Sequence, residues 1–348
     1  MSKKLLCVFI CLLAVLTVGC SKKPESLSIY HEDEPPVSSE ESSEIETVYA
    51  LNPLTGVTNL DPAMEGKRPV AITVNNIEVA QKVQTGIGNA DIVYETEVEG
   101  GITRLVAIYQ DTTKTDKIGT VRSARYPFID LAMGHNAIYV HHGQDGTYAR
   151  PHLSDVDRFV VSENAAGARI SNGLSREHTL YAYGDKLWSA IINAGLKTEN
   201  TKDGTWQSFA AEDESITLKN TATSVTVPFS ASYKTTFKYD SATGKYVRYF
   251  KSTERKDYVT GQSEYFKNVF VLMTYIGNYP DGYHRQVSLT SGDGYYFVNG
   301  TYTPIKWSKG AASNGFKFSY TDGTALTVNA GNSWVCIANK NTSQPTIQ

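Results

Sequence analysis

A run of alternating residues that ends in two glycines is the feature that most narrows the fold of this chain. Apolar or hydroxyl side chains alternate with glutamates over residues 94–99, and Gly100-Gly101 follows at once. Alternation with a period of two is typical of a β-strand, and a glycine pair suits a two-residue hairpin turn. We therefore predict a hairpin whose return strand covers 102–110, with Glu97 opposite Arg104.

This register divides the side chains between the two faces of the hairpin. It predicts a buried face made of Tyr94, Val98, Leu105, Ala107 and Tyr109. It places the remaining polar side chains together on the other face: Glu95, Glu97, Glu99 and Arg104. Carboxylates two residues apart on one strand raise at least one pKa, which suits a general acid. Because acids also occur on solvated sheet faces, a catalytic Glu97 or Glu99 is one of two interpretations.

The rest of the folded chain predicts an α+β protein. Continuous apolar runs at 69–74 and 137–140 indicate central strands, and helical patterns begin near Ser123 and Asp185. This alternation of strands and helices favours a mixed α/β domain over residues 50–197. Short aromatic and Thr-rich runs between turn pairs favour a mostly antiparallel β domain over 224–340, with a polar linker at 198–223.

The amino terminus predicts export and a lipid anchor. Two lysines precede an apolar run from Leu5 to Val18, which at 14 residues is shorter than the roughly 20 that span a bilayer. The run leads to Gly19-Cys20, as in a bacterial lipobox, so residues 1–19 are a predicted lipoprotein signal peptide and Cys20 the lipidated residue. We expect the protein on the extracytoplasmic face of the cell membrane, held in the lipid bilayer through Cys20.

Charge and composition restrict the partners. Residues 21–49 carry eight acidic and two basic side chains with few large apolar ones, so residues 20–49 are a predicted disordered acidic tether. The rest of the chain is almost neutral, with no general basic face, and we predict no nucleic-acid partner.

Two arginines are the first candidates for binding. Arg122 and Arg125 are three residues apart at a predicted helix start, where they could project to one side and grip a carboxylate or phosphate. Ser123 and Arg104 belong to the same candidate set. The alternative is a structural set of ion pairs with the glutamates of the hairpin.

Histidines follow the strand that precedes residue 141. His141-His142 stands where open α/β sheets place ligand sites, with Asp145, His152 and Asp155 downstream. The spacing fits no standard metal signature, so we predict no metal and no cofactor, and include His141 and His142 in the ligand-binding set.

Other candidates are better explained by a core. Cys336 follows Trp334-Val335 in a strand pattern without a nearby histidine, so we predict a buried residue and not a nucleophile. Aromatic residues of the second domain could stack on sugars, but at strand spacing they are more often buried. These residues are Tyr295, Tyr296, Trp307 and Trp334.

Two segments resemble the YerB-like lipoproteins of Gram-positive bacteria. They are Glu97-Val98-Glu99-Gly100-Gly101-Ile102-Thr103-Arg104 and Ile118-Gly119-Thr120-Val121-Arg122-Ser123-Ala124-Arg125. Downstream, Gly294-Tyr295-Tyr296-Phe297 and Gly331-Asn332-Ser333-Trp334 fit the carboxyl-terminal domain of that family. The resemblance implies a two-domain exported lipoprotein, but no reaction, because the family is one of unknown function.

Two functional hypotheses follow. The first is a non-enzymatic envelope lipoprotein that binds peptidoglycan, another envelope component or a partner protein through a Glu/Arg/His site in the amino-terminal domain. The second is a hydrolase of cell-wall glycan or peptide that uses Glu97 or Glu99 with His141. They differ in geometry, because a hydrolase needs these groups in one open cleft.

Overall fold

The computed structural model describes residues 48–202 and 204–348. The predicted signal peptide, Cys20 and nearly all of the predicted tether lie outside these residues. Among the described residues, no helix is long and apolar enough to cross a membrane.

One mixed sheet runs through both predicted domains. Its amino-terminal strands are β1 (Val70–Asn75), β2 (Ile92–Glu97), β3 (Thr103–Tyr109), β4 (Ile138–His141) and β5 (Arg158–Val160). Its other strands are β6 (Asn220–Thr221), β7 (Asn268–Thr274), β8 (Ser291–Val298), β9 (Thr301–Ser308), β10 (Lys317–Tyr320) and β11 (Ser333–Asn339). The order is β6-β9-β8-β7-β11-β2-β3-β1-β4-β5, with β10 paired to β9.

The pairing of β11 with β2 joins the two segments. This pair is parallel, as is the pair of β11 with β7, whereas β7, β8 and β9 pair antiparallel. The described part is thus rich in strands, as an α+β class requires, but the amino-terminal strands do not form a separate mixed sheet. The predicted linker contributes β6 to the same sheet.

Two longer helices accompany the sheet. They are α1 (Tyr126–Gly134) and α2 (Gly184–Asn193). Shorter helical turns occur at Pro62–Met64, Glu78–Gln81, Ile87–Asn89, Ala149–His152 and Arg176–His178. Glu99–Gly101 is a tight turn in which both glycines have a positive φ. The predicted start of α1 near Ser123 is wrong by three residues, since Arg125 is still extended and Pro127 lies in the first helical turn.

Smaller sheets complete the fold. A six-stranded sheet contains Ser224–Pro228, Lys234–Asp240, Lys245–Phe250, Thr253–Glu254, Tyr265–Phe266 and Thr346–Ile347. A three-stranded sheet contains Lys117–Gly119, Gly167–Arg169 and Leu180–Tyr183. Pairs of short strands are Ala50–Leu51 with Thr58–Leu60, Ser208–Phe209 with Thr327–Val328, and Ile276–Asn278 with Arg285–Val287.

The core has two layers, one on each face of the large sheet. Phe128 of α1 belongs to the layer that includes Tyr94, whereas Phe237 of the six-stranded sheet belongs to the layer that includes Leu105. Residues on both faces of β2 and β3 are therefore buried. The expectation of one buried face on this hairpin is wrong, because the sheet is covered on both sides.

The hairpin register also differs from the predicted one. Glu97 pairs with Thr103, and Thr96 pairs with Arg104. The connection is longer than two residues, since the Val98 N–H donates to the carbonyl of Ile102. A shift of one residue moves side chains to the other face, so Arg104 lies on the face opposite to that of Glu95.

The structure also locates the aromatic candidates and the cysteine. Tyr296, Trp307 and Trp334 are buried, which excludes them from an exposed sugar-stacking surface, while Tyr295 is partly exposed. Cys336 is a free, buried cysteine whose thiol pKa is raised by burial. The prediction of a buried Cys336 is confirmed.

Candidate functional site

The segment before α1 positions the two candidate arginines. The Arg122 N–H donates to the carbonyl of Thr73, and the Ala124 N–H donates to that of Gly143, so the segment is held between β1 and the loop after β4. Side chains of an extended segment alternate in direction, and residues three apart point to opposite sides. The predicted common projection of Arg122 and Arg125 from a helix is therefore wrong, and the two residues line different cavities.

Arg122 lines a cavity of about 350 Å³. We call it the basic cavity, and its lining residues are Val121, Arg122, Ser123, His142, Gly143, Arg169, Arg176 and Glu177. Three of the predicted binding residues, Arg122, Ser123 and His142, meet here. The amino-acid sequence did not point to Arg169 and Arg176, which reach the cavity from the three-stranded sheet and the turn at 176–178.

Carboxylates only partly balance the arginines of the basic cavity. Glu177 accepts from Arg122 at 3.1 Å, and Arg122 lowers the pKa of Glu177 although burial opposes this. Glu163 lies 3.1 Å from Arg176 and 3.6 Å from Arg169. Three guanidinium groups thus face two carboxylates. Among the described residues, the buried Nε atoms of Arg122 and Arg169 have no hydrogen-bond partner.

His142 has a fixed orientation in the basic cavity. Its Nδ1 lies 2.7 Å from the carbonyl oxygen of Val161, which can only accept, so Nδ1 carries the proton. Its Nε2 is 3.1 Å from Nη2 of Arg169 and accepts from that donor. This contact helps to hold the Arg169 guanidinium in place beside His142.

The carboxylates of the hairpin lie in a second, much smaller cavity of about 10 Å³. The Nε of Arg125 donates to both oxygens of Glu99, at 2.8 and 3.0 Å. Arg285, from the strand pair Ile276–Asn278 and Arg285–Val287, lies 3.0 Å from Glu97. Burial raises the pKa of Glu97, and Arg285 opposes the rise. Both candidate acids are thus held in ion pairs, in a space for about one water molecule.

The third glutamate of the hairpin, Glu95, is held by hydrogen bonds inside the protein. Glu95 is buried and accepts hydrogen bonds from Asn76, Thr103 and Thr235. Burial raises its pKa. Because Thr235 belongs to the six-stranded sheet, Glu95 links that sheet to β2.

Arg104 and His141 are buried and line neither cavity. Arg104 donates to the carbonyl of Ser123 at 3.0 Å, and burial together with Arg125 and Arg122 lowers its pKa to about 9. Nδ1 of His141 donates to the carbonyl of Gly143 at 2.7 Å, and burial lowers the pKa of the ring. The structure thus does not bring His141 together with Glu97 in an open cleft.

The three residues downstream of His141-His142, namely Asp145, His152 and Asp155, do not meet in one site either. Asp145 accepts from the N–H groups of Tyr148 and Ala149, and it lies 2.9 Å from His284. His152 and Asp155 form an exposed pair of their own at 3.1 Å. Across the described ranges, no group of three His, Cys, Asp or Glu side chains could hold a metal ion.

Comparisons with known proteins agree with this architecture. Residues 54–197 match the N-terminal domain, and residues 225–335 the C-terminal domain, of a protein of unknown function, DUF3048. The chain is 28% identical over 292 residues to "Putative lipoprotein YerB" of Bacillus subtilis (strain 168), covering 82% of this chain and 85% of the relative. A crystal structure of YerB from Bacillus subtilis matches with a TM-score of 0.73 at 25% identity, covering 85% of this chain and 99% of that chain.

Proposed function

The chain belongs to the family of YerB-like lipoproteins, and from this premise we propose that it binds an anionic component of the cell envelope in the basic cavity. In this proposal a lipid on Cys20 holds the protein on the extracytoplasmic face of the membrane. The bound group is a phosphate or carboxylate of the wall.

The observation that carries the proposal is the convergence of three arginines on one cavity with only two carboxylates beside them. Guanidinium groups bind phosphate and carboxylate through two parallel hydrogen bonds, which are stronger than neutral ones. A volume of about 350 Å³ falls within the usual range of ligand sites, roughly 300–1,000 Å³.

The geometry favours binding over hydrolysis. A glycosidase needs two carboxyl groups that flank a sugar, with room for the substrate between them. Here Glu97 and Glu99 are each paired with an arginine beside a cavity of about 10 Å³. The alternative is a wall hydrolase that uses Glu97 or Glu99 with His141. It remains a prediction, and these residues do not share an open cleft that could hold a substrate.

Co-sedimentation with purified cell-wall sacculi tests the proposal. The full chain in detergent is incubated with intact sacculi and with sacculi stripped of anionic polymers, and the supernatant is analysed for released fragments. We expect binding to intact sacculi without fragments. Arg122→Gln and Arg169→Gln should each weaken it about tenfold, since each removes charge-assisted hydrogen bonds.

Arg150→Gln is the matched control, because Arg150 is exposed and does not line the basic cavity. It makes the same change of charge and should leave binding unaltered. Equal binding of all three variants would contradict the proposal. Binding to a membrane protein instead of sacculi would favour a partner protein, and released fragments lost with Glu97→Gln would favour the hydrolase.

A further inference from the structure

A cavity of about 830 Å³ opens beyond the carboxyl end of α1. We call it the lysine cavity. Side chains and backbone that meet there include Gln110, Gly134, His135, Lys202, Lys309 and Lys317. It shares no lining residue with the basic cavity, so it is a separate site.

The lysine cavity contains several ammonium groups. Its described lining residues include three lysines and neither aspartate nor glutamate. The Nζ of Lys202 donates to the carbonyls of Met133, at 3.2 Å, of Gly134, at 2.9 Å, and of Ser313. Carbonyl groups orient the ammonium without cancelling its charge. In the described part of the chain, no carboxylate lies within ion-pair distance of these lysines.

Lys309 lies deeper in the wall of the cavity. Its Nζ donates to the carbonyls of Ala311, at 3.1 Å, and Ala312, at 2.5 Å. Burial lowers its pKa to about 8; Asp130 opposes the shift, and Lys202 adds to it. A bound anion would relieve the repulsion between the two ammonium groups.

A buried acceptor at the same wall also lacks a partner. Gln110 is 2% exposed, and its Nε2 donates to the carbonyl of Lys67 at 2.7 Å. This bond fixes the amide, so Oε1 is the remaining acceptor, and it is buried without a donor from the described residues. An unmade hydrogen bond of this kind is costly, and a ligand hydroxyl would complete it.

The remaining lining is suited to a polar ligand. Hydroxyl side chains contribute from Thr290, Ser291, Ser308 and Ser313. Gly134 lets the wall pack closely, because a Cβ there would lie 2.9 Å from the carbonyl oxygen of Asn314 and 3.2 Å from Cε of Lys309. Lysine binds phosphate as a compact point charge, whereas hydroxyl groups and Gln110 Oε1 match a polyol.

We propose that the lysine cavity binds a polyol or sugar that carries a phosphate group, with Lys309 and Lys317 on the phosphate and Gln110 on a hydroxyl. The ligand is either a free small molecule or one unit of a phosphate-linked polymer. The proposal is independent of the basic cavity.

Calorimetric titration of the full chain in detergent tests this site. The probes are glycerol 3-phosphate, inorganic phosphate, glycerol and a short poly(glycerol phosphate). We expect saturable binding of glycerol 3-phosphate with a Kd of about 1 mM or tighter, weaker binding of phosphate and none of glycerol. Tighter binding of the oligomer than of the monomer would identify a polymer as the source. Binding should weaken as the pH rises above about 8, because Lys309 then loses its proton.

Variants assign the binding to the cavity. Lys309→Met and Lys317→Gln should each weaken glycerol 3-phosphate about tenfold, and Lys317 is exposed, so its replacement does not threaten folding. Gln110→Leu should remove the preference for glycerol 3-phosphate over phosphate. Lys306→Gln is the matched control, since Lys306 pairs with Asp293 outside the cavity.

Three results would overturn the proposal. One is no saturable heat with any phosphate probe up to about 10 mM. Another is unchanged affinity in both Lys309→Met and Lys317→Gln. The third is a loss of binding with Arg122→Gln instead, which would place the phosphate in the basic cavity and support only the function proposed above.

Discussion

Arg248 joins the two halves of the chain, and replacing it should destabilise both. The residue lies in the strand Lys245–Phe250 and is fully buried. Its guanidinium donates to Glu264 at 2.8 Å and to Oδ1 of Asn76 at 2.9 Å, and it stacks 4.5 Å from the ring of Trp334. Asn76 comes from the amino-terminal half and the other partners from the carboxyl-terminal half.

The expected cost follows from what Arg248→Met leaves behind. The Glu264 carboxylate, with 1% of its side chain exposed, would lose its positive partner. Removing one member of a buried ion pair costs about 3–5 kcal/mol. That is a large share of the roughly 5–15 kcal/mol by which most domains are stable. The double variant Arg248→Met/Glu264→Leu removes both charges and should recover most of the loss.

Urea unfolding followed by tryptophan fluorescence and by circular dichroism measures this effect. The two probes should give one coincident transition, since Arg248 and the continuous sheet couple both halves. Arg150→Met is the control, because Arg150 is exposed and should change stability by less than about 0.5 kcal/mol. A cost below about 1 kcal/mol for Arg248→Met, or a double variant no more stable than the single one, would refute the reasoning.

Three further predictions concern buried titratable groups. Burial raises the pKa of Asp91 to about 6, so the folded state binds a proton more tightly than the unfolded state. The unfolding free energy should therefore decrease as the pH rises from about 4 to about 6, and it should decrease less in Asp91→Asn. Urea unfolding at a series of pH values would contradict this if the free energy changed equally with pH in both proteins. Arg285→Ala should raise the pKa of Glu97 further, because the opposing positive charge is lost. An unchanged pKa of Glu97 in an NMR titration of the carboxyl groups would contradict this. Cys336 should react with a thiol reagent only on unfolding, since it is fully buried, and rapid labelling of native protein would exclude that packing.

Local patterns were sufficient to identify several elements. Continuous apolarity predicts β1 and β4, because strands covered on both faces need apolar side chains at every position. The glycine at 134 also indicates the approximate end of α1, although Gly134 is itself the last helical residue and the left-handed residue beyond it is Asn136.

The hairpin shows where local reasoning fails. Gly100-Gly101 is compatible with more than one turn, and both glycines have a positive φ, as a two-residue turn would also require. The chain instead forms a three-residue turn at Glu99–Gly101, which shifts the register by one residue. Coverage on both faces removes the inside–outside contrast that would otherwise have revealed this shift.

The sequence by itself predicted the family of YerB-like lipoproteins and several of the strands, because sequence motifs and side-chain periodicity are local properties. The tertiary structure alone decided which polar residues meet. Arg122 lines the basic cavity together with Arg169 and Arg176, whereas Arg125 forms an ion pair with Glu99 in the other cavity. Lys202 and Lys309 likewise face one cavity from distant segments. Such sites depend on strand order and register, which are set by the packing of the whole chain.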